Sequence, residues 1–349
     1  MTSLSSPTRF VRPERPAPPQ AGQPGPQWKS ELRDAVRDPA ELARLLDLPG
    51  TWAESAREAA RQFPLLAPRG YVRRMRPADP HDPLLRQVLP LADELRPAPG
   101  YSADPVGDAA ATLTPGLLHK YQGRALMVTT GACAVHCRYC FRRHFPYSES
   151  PKGLAAWDEA LAAIAADNSL HEVILSGGDP LTLVDPTLAA LADRIAQVRH
   201  VARLRVHTRL PVMIPSRVND ELLAWLTGTR LTPIVVLHAN HANELDVEAG
   251  RAVARLADAG VPLLNQAVLL RGVNDSVDAQ AELCERLVDL RVMPYYLHQL
   301  DKVSGAAHFD TPIELGQAII AELRGRLPGY AVPRLVREDA GAAGKTVIR

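Results

Sequence analysis

From Arg124 onward, short β-branched runs alternate with helical patterns, and this alternation limits the fold more than any other feature of the chain. Strand-like runs lie at 125–129, 172–175, 204–208, 234–237, 263–270 and 292–297. Helical patterns fall between them near 155–166, 186–198, 220–227, 245–259 and 278–289, with another at 313–326. Strands separated in this way predict a parallel sheet with both faces covered. Six such units at this spacing predict an α/β fold, an incomplete (β/α)6 barrel; an open, Rossmann-like sheet is the structural alternative. In either fold the chemistry belongs at the C-terminal ends of the strands.

The sequence upstream is of another kind. Residues 1–28 are rich in Pro, Ser, Gln and Arg and predict a disordered arm. Helices are expected near 29–37 and 39–47, with Asp38 and Pro39 as cap and first turn of the second. The stretch 50–120 is Pro-rich without a clean period. The organisation expected is an arm (1–28), a mostly helical, irregular N-terminal subdomain (29–118) and a barrel (119–349).

Composition narrows the function classes. The 349 residues are 46% hydrophobic and 23% charged, as in soluble globular proteins, and no apolar run approaches the ~20 residues a membrane span needs. The N-terminus lacks the apolar core of a secretory signal. A formal net charge of +1 offers no basic field to attract nucleic acid, so no direct binding of it is expected. Of four cysteines, three fall at 133, 137 and 140, a clustering that argues against a disulfide framework and for a reducing, cytoplasmic location.

Those three, Cys133, Cys137 and Cys140, directly follow the first barrel strand with C-x3-C-x2-C spacing. Three thiolates so spaced can ligate three irons of a cubane and leave the fourth open to another ligand. A closed zinc site normally takes four protein ligands, and there is no second cysteine pair. Cys284 shares a helical face with Ala281, Leu287 and Val288 and reads as core. Ser176-Gly177-Gly178-Asp179 ends the second barrel strand, where glycines let backbone approach a ligand closely.

The cysteine loop resembles the signature of radical S-adenosylmethionine (SAM) enzymes, and the Gly-Gly turn resembles the loop that holds the SAM amino group there. Further stretches narrow the likeness to the lysine 2,3-aminomutase family, over about residues 85–349: 115–121, 140–145, His238-Ala-Asn-His241, Asn265-Gln266, 270–275 and 294–301. The stretches 137–147 and 300–309 are similar nearly letter for letter to the branch serving elongation factor P. The resemblance implies a [4Fe-4S] cluster, SAM and pyridoxal 5'-phosphate (PLP), with the amino group of lysine moved from the α to the β carbon. It also implies an electron donor and, in that branch, a functional link to a lysyl ligase for elongation factor P. Free-lysine mutases of the family carry a zinc-binding C-terminal extension that this sequence does not contain, which favours the elongation-factor branch. A mutase releasing free β-lysine and a non-catalytic iron–sulfur protein are the competing expectations.

By position, the resemblance places the PLP Schiff base on Lys345, which follows a small-residue loop at 340–344. Such a lysine must shed its proton, which burial favours. Lys120, Tyr121 and Arg124 match the segment holding the PLP phosphate, with Lys120 where relatives commonly have Arg. Arg142 matches the partner of the substrate carboxylate. Asp301 and Glu338 match an acidic pair gripping the distal ammonium, Asp339 being the rival of Glu338. His238 and Gln266 match SAM contacts, alongside Ser176, Gly177, Gly178 and Asp179.

Overall fold

Neighbours in the sheet are neighbours in the sequence throughout. The computed structural model describes residues 26–349. Its single sheet runs β1 (Thr112–Thr114), β2 (Leu117–Tyr121), β3 (Arg124–Thr130), β4 (Glu172–Gly177), β5 (Arg203–Thr208), β6 (Thr232–Leu237), β7 (Leu263–Val268), β8 (Met293–His298), β9 (Arg334–Arg337) and β10 (Thr346–Val347), in that order. Pairing is parallel from β3 to β9; β1 and β2 on one side and β10 on the other are joined by antiparallel pairing. A doubly wound sheet requires the strand order to reverse about its first strand. It never reverses here. Right-handed crossovers therefore put every connecting helix on the same side, and the sheet curls into the expected incomplete barrel. The open-sheet alternative falls, and a seventh parallel strand, β9, adds to the six expected.

Local chemistry explains the elements. All of β4 but its last residue is buried, as a strand covered on both faces must be. Helices open on side-chain caps: Asn219 accepts from Leu222 N, Asp246 from Ala249 N and Ser276 from Ala279 N. Each such cap contributes about 1 kcal/mol. Cys284 is buried within the helix Val277–Asp289, as its apolar face predicts.

Upstream, the expected arm lies outside the described residues apart from its last three, and Gln27 and Trp28 already belong to the helix Gln27–Arg33. Residues 50–120 are more regular than expected. A 13-residue helix, Gly50–Gln62, buries Ala53, Ala56 and Ala59. Its inward stripe is made of alanines, which carry the helical period without the bulk that makes a period conspicuous. One hydrophobic core joins this region to the barrel, from Trp28 to Leu335. Arg74 adds a polar tie, donating to Asp246 Oδ2 at 2.8 Å and to the carbonyls of Val212 and Glu244 at 2.7 and 2.8 Å.

Candidate active site

A cavity of about 390 Å³ runs inside the curled sheet, from Arg124–Leu126 at the start of β3 to the C-terminal ends of β4, β5, β7 and β8 and the loop after β3. Every site residue expected from the sequence lines it, from Lys120, Tyr121 and Arg124 through the three cysteines to Asp301, Glu338 and Lys345. Residues far apart in the sequence meet because β2 and β3 stand on one side of the curled sheet and the β9–β10 hairpin on the other.

The cysteines lie on the loop that leaves β3. Burial pushes the Cys133 thiol well up, with Cys140, Asp179 and Cys137 adding to the effect, and pushes Cys140 up to about 11, aided by Cys137. These thiols are near enough to repel one another as anions, a set that a polycation relieves. Among the described residues no three His, Cys, Asp or Glu side chains already close around one point. The donors converge on the cavity without being drawn together. Three sulfurs, mutual repulsion and no fourth cysteine nearby fit a cluster with one open iron.

The Gly-Gly turn has a reason beyond ligand approach. A Cβ on Gly178 would come within 2.4 Å of the Ala132 carbonyl oxygen, and Gly177 holds φ at +110°. Gly178 N donates to Thr130 O at 2.7 Å and Asp179 N to Ala132 O at 2.8 Å. The glycines thus let the β4 turn lie directly on the backbone of the cysteine loop. Burial pushes the Asp179 carboxyl up, and four hydrogen bonds occupy it: from Thr208 Oγ1 and Arg209 N at 2.7 Å, Leu181 N at 3.0 Å and Leu210 N at 3.1 Å. With its lone pairs so engaged, Asp179 fixes the β4 and β5 ends to each other.

At the opposite end the expected ligand-holding groups hold one another. Lys345 is ion-paired with Glu338, so the lysine expected to be buried lies half-buried with a carboxylate against its ammonium. Glu338 also accepts from the Tyr121 hydroxyl at 2.6 Å. Burial pushes the Glu338 carboxyl up, but Lys345, Tyr121 and Lys120 more than offset it and hold it below its ordinary value. Asp301 is more deeply buried, and burial, with the neighbouring Glu338 carboxylate adding to it, pushes it up to about 7 against the pull of Lys345 and Lys120. Asp339 turns outward to Arg337 and Thr346, leaving Glu338 as the acid that faces the cavity.

Several functional candidates escaped the sequence. Asp108, buried in the segment before β1, ties Arg142 Nε at 2.7 Å to Lys120 Nζ at 2.6 Å. It stands as an internal anion between the two cations expected to hold anions of ligands. Burial pushes its carboxyl up, and Arg142 with Lys120 more than offsets that. His207 on β5 and His298 on β8 line the cavity, each with a buried Nε2 that has no partner. Burial holds both well below the usual histidine range and brings His238 down to about 3, so all three imidazoles are neutral. Asp108 and His207 lie in no motif singled out in the sequence, and His298 falls within 294–301 but has no role assigned there; β-strand alternation from 204 to 208 is the one signal that points His207 inward.

Three thiols on the loop after the first barrel strand, with a glycine turn packed on that loop, define a radical SAM site. Residues 127–284 match the Radical SAM superfamily. The L-lysine 2,3-aminomutase of Escherichia coli is 47% identical over 320 residues, covering 91% of this chain and 93% of that protein. That of Haemophilus influenzae is 43% identical, covering 92% and 95%, and that of Clostridium subterminale 37% identical, covering 92% and 77%. The chain belongs to the L-lysine 2,3-aminomutase family, whose members are isomerases of the radical SAM class and use a [4Fe-4S] cluster with SAM. No helix among the described residues is long and apolar enough to cross a membrane.

Proposed function

We propose that this chain converts L-α-lysine to (R)-β-lysine, with a [4Fe-4S] cluster on Cys133, Cys137 and Cys140 and PLP on Lys345, and that the product serves modification of elongation factor P. The observation that carries the reading is one cavity with three thiols at one end and, at the other, a lysine flanked by two carboxylates. When bound, the cluster with SAM supplies a hydrogen-abstracting radical, and PLP supplies an aldehyde whose conjugated ring spreads an unpaired electron.

The chain's own residues align and select. Arg142 exchanges Asp108 for the carboxylate of the substrate, for which its planar fork is suited. Lys120, Tyr121 and Arg124 supply positive charge and a hydroxyl for a phosphate; Arg124 lies over the Tyr121 ring at 4.6 Å. Glu338 serves two ammonium groups in turn. While Lys345 is charged it takes the carboxylate; once Lys345 is engaged elsewhere, Glu338 and Asp301 are left to receive the distal ammonium of the substrate. Neutral His207, His238 and His298 add no positive charge to repel it. Ser176, Gly177, Gly178, His238 and Gln266 line the wall between the two ends and are assigned to SAM, with Asp179 acting from behind the turn.

Purified, reduced protein given SAM and lysine is expected to yield β-lysine. Lys345→Ala is expected to keep its iron, lose PLP absorbance and lose product. No β-amino acid from the parent, or unaltered PLP absorbance in the variant, defeats the reading. Supplying the product and elongation factor P to a lysyl ligase separates the branches: indifference to the β isomer would leave a free-lysine mutase.

A further inference from the structure

Arg209, at the end of β5, belongs to none of the roles above, yet it touches a cluster cysteine. Its Nη1 donates to Cys137 Sγ at 2.8 Å and to the Tyr139 hydroxyl at 2.9 Å. Its Nη2 donates to Gln87 Oε1 at 2.6 Å and Glu244 Oε2 at 2.7 Å. Arg209 is 6% exposed and Glu244 fully buried. Glu244 is held in turn by Gln87 Nε2 at 3.0 Å and Asn240 N at 2.8 Å. The guanidinium is thus fastened from the cysteine loop, the N-terminal subdomain and the segment after β6. It cannot swing away without leaving a buried carboxylate unpaired.

We propose that Arg209 is a positioning residue for the cluster: the Glu244–Gln87 bracket holds its guanidinium against the Cys137 thiolate, and this contact raises the cluster's reduction potential. The inference rests on the reading that Cys133, Cys137 and Cys140 carry the cluster. Reduction adds one electron, supplied by a donor such as dithionite, and so one negative charge to the cluster. A cation and a hydrogen bond at a ligating sulfur stabilise the more negative state. Glu244 works in the opposite direction from one layer further out, and the nearer charge prevails. An arginine stays charged in such a place, where a lysine could deprotonate.

The test is a potentiometric titration with dithionite, followed by electron paramagnetic resonance, on reconstituted parent, Arg209→Met, Arg209→Lys and Glu244→Gln. Arg209→Met is expected to lower the reduced-to-oxidised ratio at fixed potential about tenfold, about 59 mV for one electron. Arg209→Lys should recover part of that loss, and Glu244→Gln should move the midpoint the other way. A strut without electrostatic function would shift neither. An unchanged or raised midpoint in Arg209→Met overturns the proposal; if that variant holds no cluster, an unchanged or lowered midpoint in Glu244→Gln overturns it. A parent chain that takes up no iron refutes the cysteine reading itself, a separate outcome.

Discussion

The loop carrying the three cysteines and the loop carrying Lys345 face each other across one cavity, but they are fastened differently. At the cysteine end, buried Glu94 accepts from Arg138 at 2.8 and 2.6 Å and from Arg143 at 2.8 Å, with Phe63 beneath both guanidinium groups at 4.8 and 4.6 Å. His136 adds a bond between its Nδ1 and the Pro64 carbonyl at 2.8 Å. At the lysine end, β10 has two residues, paired with Arg337 and Val336, and Thr346 donates to Asp339 at 2.6 Å. Further ties are the Lys345–Glu338 pair, Ile348 N donating to the Leu335 carbonyl at 2.9 Å and Gln317 donating to the Arg349 carbonyl. Under the proposed function the cysteine end holds a cluster, whose ligands must stay fixed, so rigidity serves it; Lys345 would change partners within each cycle and needs ties that can be exchanged.

Three changes break or sharpen this contrast, the largest first. Glu94→Ala strands two buried guanidinium groups and should cost about 3–5 kcal/mol of stability. Urea unfolding together with iron content would report it; a loss below 1 kcal/mol would mean the cysteine end is not braced by charge at all. Asp301 gives a pH signature at the other end. Its folded value of about 7 lies above the ordinary 3.8, so its stabilising contribution is full below pH 3.8 and is lost as pH rises through about 7. The loss has a slope of at most about 1.4 kcal/mol per pH unit. Asp301→Asn should flatten that descent, and melting curves from pH 4 to 8 that superimpose after correction for a constant offset would refute it. The smallest effect on stability is expected from Glu338→Gln, at about 1 kcal/mol or less, accompanied by weakened lysine binding. If it destabilises the fold as much as Glu94→Ala does, the two ends are alike after all.

Legibility in the sequence followed the same division. Each barrel strand with a β-branched run and each long helix between them was readable, because burial on both faces of a parallel sheet leaves little choice of residue, whereas the one-turn helix Leu210–Met213 was not. Strand β9 escaped since Arg334–Arg337 is four residues long with an arginine at each end. The helix Gly50–Gln62 escaped because alanines line its inner face. The residues singled out for the site all reach the cavity, but their pairings were not readable. That Asp108 bridges Arg142 and Lys120, or that Arg209 reaches Cys137, depends on how segments 34 and 72 residues apart are folded together. No local period encodes such a meeting.

The sequential strand order has a consequence for biosynthesis. Because the loop after β3 bears the thiols and the β9–β10 hairpin bears Lys345, a ribosome-bound chain exposes its cysteine loop, the cluster site of the proposed function, long before the opposite wall exists. Iron captured during translation would sit in a half-built cup open to solvent and oxygen, and only the final hairpin completes the enclosure.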